Sequence, residues 1–422
     1  MTSRPKQRHS IRKKLTIASC TLLSHGATDA IASEAEDWAI DASFLHYTEQ
    51  DRVTVDKIIS SLVTNINESN KVKVDLVFDT MSGSTPSGAV QGAGSFVTVT
   101  TPSGAGGFSA GSGSTAIAEF EDTRLAVALD WEQTKKRLHR INYGSSISVE
   151  KDYTSFGLNS NYAQDVSNRI MTYSAGVAVA FDEVRRSTGG TPEPFTVYGA
   201  GNTLANGNRV SFDTIFGATR ILNRRTIGQL NFSSGFSDGY LTDPYKLISR
   251  TQLVDPADPS LGVDEINTYY EKRPSSRQRS SVYTSMAHTT RHDNVLHLSY
   301  RYYWDDWGID SNTLDFRLKL RYDDGFFVEP HVRIYNQTAA NFYYYAIEQE
   351  NYGLSSFPQY ASADYRLDKI DSSTIGISIG KNFPGQGKLR VRIEKINWQY
   401  ANSYFDVNNA LVLQVSYKKL FE

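Results

Sequence analysis

The chain has 422 residues, of which 39% are hydrophobic, 12% aromatic and 21% charged, and its net charge is −2. It contains one cysteine, Cys20, which excludes a disulfide framework and a thiolate zinc cluster. No stretch beyond residue 35 reaches the roughly 18–20 uncharged apolar residues of a membrane helix. Helical membrane proteins are therefore excluded, as are collagen-like and coiled-coil proteins.

Residues 1–32 have the features of a secretory signal peptide. Six lysines and arginines precede the apolar run from Leu15 to Leu23, and Ala30-Ile31-Ala32 provides an A-x-A cleavage site. We expect cleavage after residue 32 and a mature domain of residues 33–422. Removing the peptide leaves a net charge of about −7 without a basic block, which argues against nucleic acid as a partner. An export signal, no spanning helix and many aromatic residues indicate the outer membrane of a Gram-negative bacterium.

The mature chain alternates between apolar and polar residues with a period of two, the periodicity of β-strands. Sixteen strands are predicted, at 38–47, 52–63, 70–82, 116–131, 138–151, 153–165, 168–182, 207–220, 225–237, 277–290, 293–306, 311–324, 326–336, 370–382, 387–400 and 409–421. Most runs are about 11–15 residues long, whereas soluble strands commonly have about 5–6, and strands that cross a bilayer need about 9–11. The lengths favour a transmembrane barrel over a soluble antiparallel sheet with one wet face.

The predicted connections alternate in length. They are short after the even-numbered strands, as at Asn223-Arg224-Arg225, and run to about 25–40 residues after strands 3, 7, 9 and 13. This is the layout of an outer-membrane barrel with short periplasmic turns, long extracellular loops and both termini in the periplasm. The sequence therefore predicts an all-β fold, a single antiparallel transmembrane β-barrel of about 16 strands.

The last predicted strand carries an amphipathic pattern that ends on an aromatic residue. Leu411, Leu413, Val415, Tyr417 and Phe421 share one face, and Glu422 follows. Tyr417 and Phe421 resemble the signal by which the barrel-assembly machinery recognises its substrates, so we expect that machinery as a partner. An amphipathic edge strand of a soluble protein is the alternative.

Several segments resemble, as an ordered set, a family of bacterial proteins known only as a domain of unknown function. They are Asp79-Thr80-Met81-Ser82-Gly83, Thr85-Pro86-Ser87-Gly88-Ala89, Thr101-Pro102-Ser103-Gly104, Phe120-Glu121-Asp122-Thr123-Arg124, Tyr270-Glu271-Lys272-Arg273-Pro274 and His297 through Trp304-Asp305-Asp306-Trp307 to Leu314. The resemblance covers nearly the whole mature chain and implies an outer-membrane β-barrel. It also implies a neighbouring periplasmic flavin-transferase lipoprotein, and hence an envelope redox partner.

Other motifs favour ordinary structural roles. The glycine-rich segment 83–114 lacks the strand, helix and acidic residue of a dinucleotide fingerprint, so we interpret it as a loop that could narrow the lumen. His288 and His292 are i, i+4 neighbours, but on a strand they lie too far apart to chelate one metal ion. No Gly-x-Ser-x-Gly elbow opens a helix. We therefore expect no catalytic residues, no metal and no cofactor.

The polar strand faces carry the most informative charges. If the apolar faces meet lipid, the following side chains face the lumen: Asp315, Arg317, Lys319, Arg321, Arg333, Arg390, Arg392 and Glu394. A lysine or arginine on the lipid face would cost about 2–4 kcal/mol near the bilayer midplane, so the inward assignment is energetically required. Two interpretations stay open. These side chains form either an ion-pair network that fills the lumen or the basic wall of a wet channel that favours anionic solutes.

Aromatic residues cluster near predicted strand ends. Those assigned to an aromatic girdle are Tyr302, Tyr303, Trp304, Trp307, Trp398 and Tyr400. Amphipathic rings favour the level of the lipid headgroups, which makes the bilayer and lipopolysaccharide the expected contacts. Stacking platforms for sugars are the alternative.

Three functions follow from this reading. The first is a porin-like channel for small, anionic solutes, since sixteen strands can leave an aqueous bore. The second is a non-conducting barrel that acts as a scaffold for the envelope redox partner. The third is an outer-membrane hydrolase, which the sequence leaves unsupported.

Overall fold

The computed structural model describes residues 38–421, apart from 51, 87–96, 101–106, 111–116, 137, 167–169, 187–188, 201–202, 256, 259, 261, 323, 349–357, 386 and 404. The predicted signal peptide lies outside the described residues, as does most of the glycine-rich segment. No helix within the described ranges is long and apolar enough to cross a membrane.

Sixteen antiparallel strands close into one barrel. They are β1 (Trp38–Glu49), β2 (Val53–Asn67), β3 (Asn70–Pro86), β4 (Ile117–Lys136), β5 (His139–Val149), β6 (Tyr153–Val166), β7 (Met171–Val184), β8 (Gly207–Asn223), β9 (Thr226–Gly239), β10 (Ser276–Thr289), β11 (Val295–Asp305), β12 (Asp310–Arg321), β13 (Phe326–Gln337), β14 (Ile370–Phe383), β15 (Gly387–Tyr400) and β16 (Val407–Phe421). Each strand pairs with its neighbour in sequence, and β1 closes on β16 with Trp38 opposite Phe421. The transmembrane barrel and its strand count are confirmed.

The alternation along each strand separates a lipid face from a lumen face. Phe44 on β1 stands between Ile58 on β2 and Val415 on β16, and all three side chains are exposed. Leu125, Phe156 and similar residues extend this apolar belt around the barrel. Exposed apolar residues at alternate positions of every strand are what a bilayer-spanning barrel presents to lipid.

Tight turns join the strands at the periplasmic end. In the β2–β3 turn the Asn67 side chain accepts a 3.0 Å hydrogen bond from the Ser69 amide, and in the β8–β9 turn Asn223 accepts one of 2.9 Å from Arg225. Gly325 closes the β12–β13 turn with φ of 78°, a conformation that suits glycine. Side chains that hydrogen-bond their own turn explain why asparagine marks these positions.

The long loops at the other end carry the other described elements. Leu247–Leu253 pairs with Val263–Tyr270, and Ile347–Glu348 joins them from another loop. The other short elements are a ribbon of Val97–Thr100 with Gly107–Ala110, a pair of Thr191–Pro192 with Thr203–Leu204, and a 3-10 helix at Tyr365–Leu367. Two buried apolar clusters lie here, one around Trp307 and Phe342 and one around Ile248 and Ile347. Much of the apolar core thus lies among the loops.

Candidate functional site: the lumen and its outer mouth

Eight long cations face the lumen from β12 to β16. The register of these strands places them on the inward face, and we call the set the basic wall: Arg317, Lys319, Arg321, Arg333, Lys388, Arg390, Arg392 and Lys418. Arg390 shows the orientation directly, because its Nη2 donates to Glu329 Oε1 at 2.7 Å and to Ser378 Oγ at 2.9 Å. The inward placement predicted for the six arginines and lysines therefore agrees with the strand register.

The acids within this wall are held by specific partners. His331 lies between two carboxylates, with Nδ1 2.7 Å from Glu394 Oε1 and Nε2 2.8 Å from Asp315 Oδ2. Because a carboxylate only accepts hydrogen bonds, the arrangement is satisfied when both ring nitrogens donate. Arg317 Nε lies 3.1 Å from Asp315, and Arg392 Nη1 lies 3.6 Å from Glu394. These two acids are thereby neutralised.

Several members of the basic wall meet solvent inside the barrel. The Arg333 side chain faces inward and is nevertheless exposed, and the Arg317 side chain is 41% exposed. An inward side chain can be exposed only to water in the lumen. At this level the described side chains therefore leave space for water beside the basic wall.

The wall on the other side of the lumen is built from small residues. Each strand from β5 to β9 carries an inward glycine: Gly144, Gly157, Gly176, Gly217 and Gly235. Polar side chains of neighbouring strands lie across them, so that a Cβ at Gly217 would stand 2.5 Å from Ser174 Oγ. In a ring of sixteen, β5 to β8 stand opposite β13 to β16. A wall of short side chains thus faces long cations.

Nearer the outer mouth, inward charges are paired across strands. Arg124 Nε donates to Asp79 at 3.0 Å, Arg209 Nε to Asp182 at 2.7 Å and Arg277 Nε to Asp305 at 2.9 Å. Arg279 Nη2 donates to Asp213 Oδ1 at 2.7 Å, above Gly235. These arginines have carboxylate partners of their own, whereas the basic wall has an excess of cations.

The outer loops meet across the mouth of the barrel. Tyr245 Oη donates to Asp152 Oδ2 at 2.8 Å, and Asp152 lies between β5 and β6. The adjacent Lys246 Nζ lies 5.6 Å from the ring centre of Tyr365, which lies between β13 and β14. Those two connections are eight strands apart in a ring of sixteen, so they stand on opposite sides. The described loops therefore span the mouth.

Buried ion pairs hold the loops together there. Arg273 Nη2 donates to Asp364 Oδ2 at 2.9 Å, and Arg366 Nε donates to the same atom at 2.8 Å. Arg366 Nη2 also reaches Asp243 at 3.1 Å, and Arg273 Nε lies 2.6 Å from Glu271. We call these five residues the mouth network. It joins the β9–β10 loop to the β13–β14 loop.

The protonation of the mouth network follows from burial and charge. Burial opposes ionisation of Asp364, but the cations of Arg366, Lys246 and Arg273 outweigh it, so the pKa of Asp364 lies well below its usual value. Burial raises the pKa of Glu271, against the opposing effect of Arg273. A buried carboxylate with two arginine partners stays charged, so Asp364 is the central anion of the network.

Further contacts bring in two more outer connections, β1–β2 and β15–β16. The Arg52 guanidinium lies 4.0 Å from the Phe405 ring centre and 4.7 Å from that of Tyr365. Asp368 accepts hydrogen bonds from the Asn402 amide at 2.8 Å and from Ser403 Oγ at 2.9 Å. These residues come from the β1–β2, β13–β14 and β15–β16 connections. We call the interlocked loops the cap.

Two of the six residues assigned to the aromatic girdle face outward, and their contact with headgroups stays a prediction. Tyr302 and Trp304 face outward and stack with ring centres 5.4 Å apart, and Phe232 lies 6.5 Å from Trp304. Both lie at the outer end of β11, where headgroup contact is expected.

The other four differ from the girdle prediction. Tyr303 faces the lumen and donates to Asp305 at 2.7 Å. Trp307 is buried in the cap, where its Nε1 donates to Ser276 O at 2.9 Å. Trp398 and Tyr400 share the inward face with Glu394. Nearness to a strand end places an aromatic residue at the right height, but strand parity decides whether it meets lipid.

Sequence reasoning missed the cap. The segment Tyr270-Glu271-Lys272-Arg273-Pro274 carried the family resemblance without a role, and it contains two members of the mouth network. Asp79 and Arg124, from two other resemblance segments, form a buried ion pair with each other. Acid and arginine residues within such segments were the available signal.

Comparison with known proteins places the chain in a family. Residues 12–410 match the family described as "Protein of unknown function (DUF3570)". The chain belongs to this family. No curated protein matches it.

Solved structures share the barrel at low identity. The "CymD monoaromatic hydrocarbon channel" is 8% identical with a TM-score of 0.40, over 92% of this chain and 90% of that chain. The Pseudomonas putida toluene transporter TodX is 9% identical, with a TM-score of 0.40 and the same coverage. Pseudomonas aeruginosa OccK2 (OpdF) in complex with glucuronate is 8% identical with a TM-score of 0.39, over 92% and 98%. Identities and TM-scores as low as these do not support a conclusion about the solute or the role of this protein.

Proposed function

We propose that the protein is an outer-membrane channel for small anionic solutes whose outer mouth is narrowed by the cap. One observation carries the proposal: the Arg333 side chain lies on the inward face of the barrel and is exposed there, which supports a basic wall that meets water. The wall draws its cations from β12, β13, β15 and β16, with small and polar residues of β14 between them. A solute that crosses the barrel therefore passes cations on four strands.

The balance of charge favours anions. The inward faces of β12 to β16 carry eight lysines and arginines against three carboxylates, Asp315, Glu329 and Glu394. All three carboxylates have close cationic partners. A low-dielectric barrel focuses the field of the remaining cations into the bore and concentrates anions there. The inward glycines of β5 to β9 leave space on the opposite side of the bore for the rest of the solute.

The location and contacts of the protein follow from the barrel surface. The apolar belt supports a position in the outer membrane, with the predicted signal peptide as the route of export. Tyr302 and Trp304 fit contact with headgroups or lipopolysaccharide, and they lie at the end that carries the long loops. Tyr417 and Phe421 both face outward on β16, 40% and 36% exposed, which fits recognition by the barrel-assembly machinery.

Solute uptake into liposomes tests the proposal. Proteoliposomes with the refolded mature chain should swell faster in an organic-acid salt than in a neutral sugar of similar size. Arg317→Gln combined with Arg333→Gln should reduce that preference. Lys395→Gln is the matched control, because Lys395 is exposed on the outward face of β15. Equal swelling rates for acid and sugar, or a double variant that behaves like the parent, would overturn the proposal.

A second function is favoured by the cap. Loops that meet across the mouth through buried ion pairs also suit a closed barrel that serves as a scaffold, with an envelope redox partner of the flavin-transferase kind. A barrel that folds correctly and admits no solute, yet retains a periplasmic partner through crosslinking, would support the scaffold over the channel. His331 does not support the hydrolase function, because both of its ring nitrogens face carboxylates.

A further inference from the structure

A cavity lies in the lumen wall directly below the cap. It has a volume of about 410 Å³ and is lined from β8 to β11. The inward polar side chains that line it are Asp213, Ser233, Arg279, Ser281, Arg301 and Tyr303. Tyr303 marks its outer edge, because the Tyr303 hydroxyl donates to Asp305 at the outer end of β11. We call this space the serine cavity.

Short residues create the serine cavity. Period-two alternation turns Ser233 and Gly235 inward on β9, and Ser281 is the register neighbour of Ser233 on β10. A Cβ at Gly235 would overlap Asp213 Oδ1 and lie 2.9 Å from Arg279 Nε. Glycine therefore lets the ion pair of Asp213 and Arg279 lie flat against the wall. The two serines leave the space beside that pair open.

The polar groups of the cavity are fixed before a solute arrives. Arg279 Nη2 donates to both carboxylate oxygens of Asp213, at 2.7 and 2.9 Å, and Nη1 donates to Ser237 Oγ at 2.9 Å. Ser233 Oγ and Ser281 Oγ lie 2.8 Å apart, so one hydroxyl donates to the other. The accepting hydroxyl keeps its own O–H group, and both oxygens keep lone pairs. Hydrogen-bond donors and acceptors thus stand side by side in the lining.

This combination is complementary to a solute that carries several hydroxyl groups. A hydroxyl both donates and accepts, so it matches a site in which carboxylate, guanidinium and serine groups are neighbours. The pair of Asp213 and Arg279 carries no net charge and therefore does not select the charge of the solute. Ile215 and the Tyr303 ring supply apolar surface for the carbon skeleton between the hydroxyls.

The serine cavity adjoins the basic wall. Arg301 is the register neighbour of Thr313 on β12, and Thr313 is the register neighbour of Tyr335 on β13. The exposed Arg333 is the next inward residue on β13. Two strand spacings, about 10 Å, therefore separate the cavity from this cation. Guanidinium side chains extend into that interval, so one small solute can meet both.

We propose that the serine cavity binds the hydroxylated part of a polyhydroxy carboxylic acid whose carboxylate lies against the basic wall. This inference deepens the proposed channel function by naming the class of anion, and it rests on that function for its role in transport. Binding is measured without passage, so the two proposals can fail separately.

Calorimetric titration of the folded mature chain tests the proposal. A polyoxyethylene detergent is used because it carries no sugar headgroup that could occupy the cavity. Gluconate should bind saturably. Hexanoate has the same charge and chain length without the hydroxyls, and at equal ionic strength it should bind at least about tenfold more weakly, because it cannot form the hydrogen bonds of the cavity.

The matching substitution is the double variant Ser233→Ala/Ser281→Ala, which removes both hydroxyls from the cavity. It should bind gluconate about tenfold more weakly than the parent and leave the affinity for hexanoate unchanged. The control Ser145→Ala/Ser160→Ala removes two hydroxyls from the outward face of β5 and β6 and should bind gluconate like the parent. Heat-modifiable gel migration verifies that all three proteins are folded.

The possible outcomes separate the cavity from the channel. Absence of saturable gluconate binding, equal affinity for gluconate and hexanoate, or a Ser233→Ala/Ser281→Ala variant that binds gluconate like the parent would overturn the inference. Selective gluconate binding by a barrel that passes no solute would refute the channel and leave the binding site standing. Passage of anions without selective gluconate binding would do the reverse.

Discussion

The hydroxyl of Tyr245 lies 2.8 Å from Oδ2 of Asp152, although 93 residues separate them and they belong to the β9–β10 and β5–β6 connections. The next residue, Lys246, contacts Tyr365 of the β13–β14 loop on the opposite side of the rim. One short segment therefore ties together loops from both sides. This relationship makes the outer mouth an organised part of the barrel.

Removal of the Tyr245 side chain should loosen the cap. Tyr245→Ala deletes the hydrogen bond to Asp152 and the ring that lies 5.5 Å from the Arg186 guanidinium. We expect faster uptake of a small organic anion into liposomes. Tyr143→Ala, on the lipid face of β5, should leave uptake unchanged. Equal uptake by the parent and Tyr245→Ala would mean that the cap does not limit passage.

The contribution of Asp364 to the stability of the cap should be lost only in strong acid. Its folded-state pKa lies well below the ordinary value of 3.8, so its contribution is present above that value and is lost as the pH falls through the folded pKa. Hydrogen exchange of segments 240–255, 262–275, 338–348 and 358–369 should be slow at neutral and mildly acidic pH and should rise below about pH 3.8.

The matching substitution is Asp364→Asn. It leaves Arg273 and Arg366 without their shared anion, which should cost about 3 kcal/mol of local stability and speed exchange already at neutral pH. Asp306→Asn, an exposed acid near the same rim, is the control. Exchange in Asp364→Asn that matches the parent at neutral pH would contradict the role of the mouth network.

Gly376 should tolerate no side chain. Gly376 faces inward on β14, and a Cβ there would lie 2.4 Å from Glu394 Cγ, which would push Glu394 away from His331. Gly376→Ala should lower the free energy of unfolding by about 1–3 kcal/mol. The control is Gly228→Ala, where the nearest atom is a flexible Leu222 methyl at 3.3 Å. Urea unfolding in lipid vesicles measures both, and similar losses would argue against the packing described.

The two tryptophans near the end of β11 should behave differently. Trp307 is 4% exposed and packs on Phe342 with ring centres 5.1 Å apart, so Trp307→Ala should cost about 3–5 kcal/mol of cap stability. Trp304 faces lipid, and Trp304→Ala should weaken membrane anchoring without opening the cap. Protease sensitivity of the outer loops distinguishes them. Equal protease sensitivity of the two variants would indicate that Trp307 belongs to the aromatic girdle and not to the cap.

The strands and turns were accessible from the sequence because their signals are local. Period-two alternation, as from Leu314 to Tyr322, separates the two faces without knowledge of the partner strand. The penalty for charge in lipid then orients Arg317 and its neighbours inward.

The cap was not accessible because its contacts join residues far apart in the sequence. Arg273 and Asp364 are 91 residues apart, and nothing near either residue indicates the other. The girdle prediction for Trp307 differs from the structure for a related reason. β11 ends at Asp305, and the chain that follows turns inward to the cap, so that Trp307 packs there.

The reversal potential of single channels in a planar bilayer tests the central claim most directly. Across a potassium chloride gradient, the folded parent should show discrete conductance steps with a preference for chloride. The combined substitutions Arg317→Gln, Arg333→Gln and Arg392→Gln should move the reversal potential towards zero, while Lys395→Gln should leave it unchanged. A folded barrel that passes no current, prefers potassium or ignores the triple substitution would contradict an anion channel lined by the basic wall.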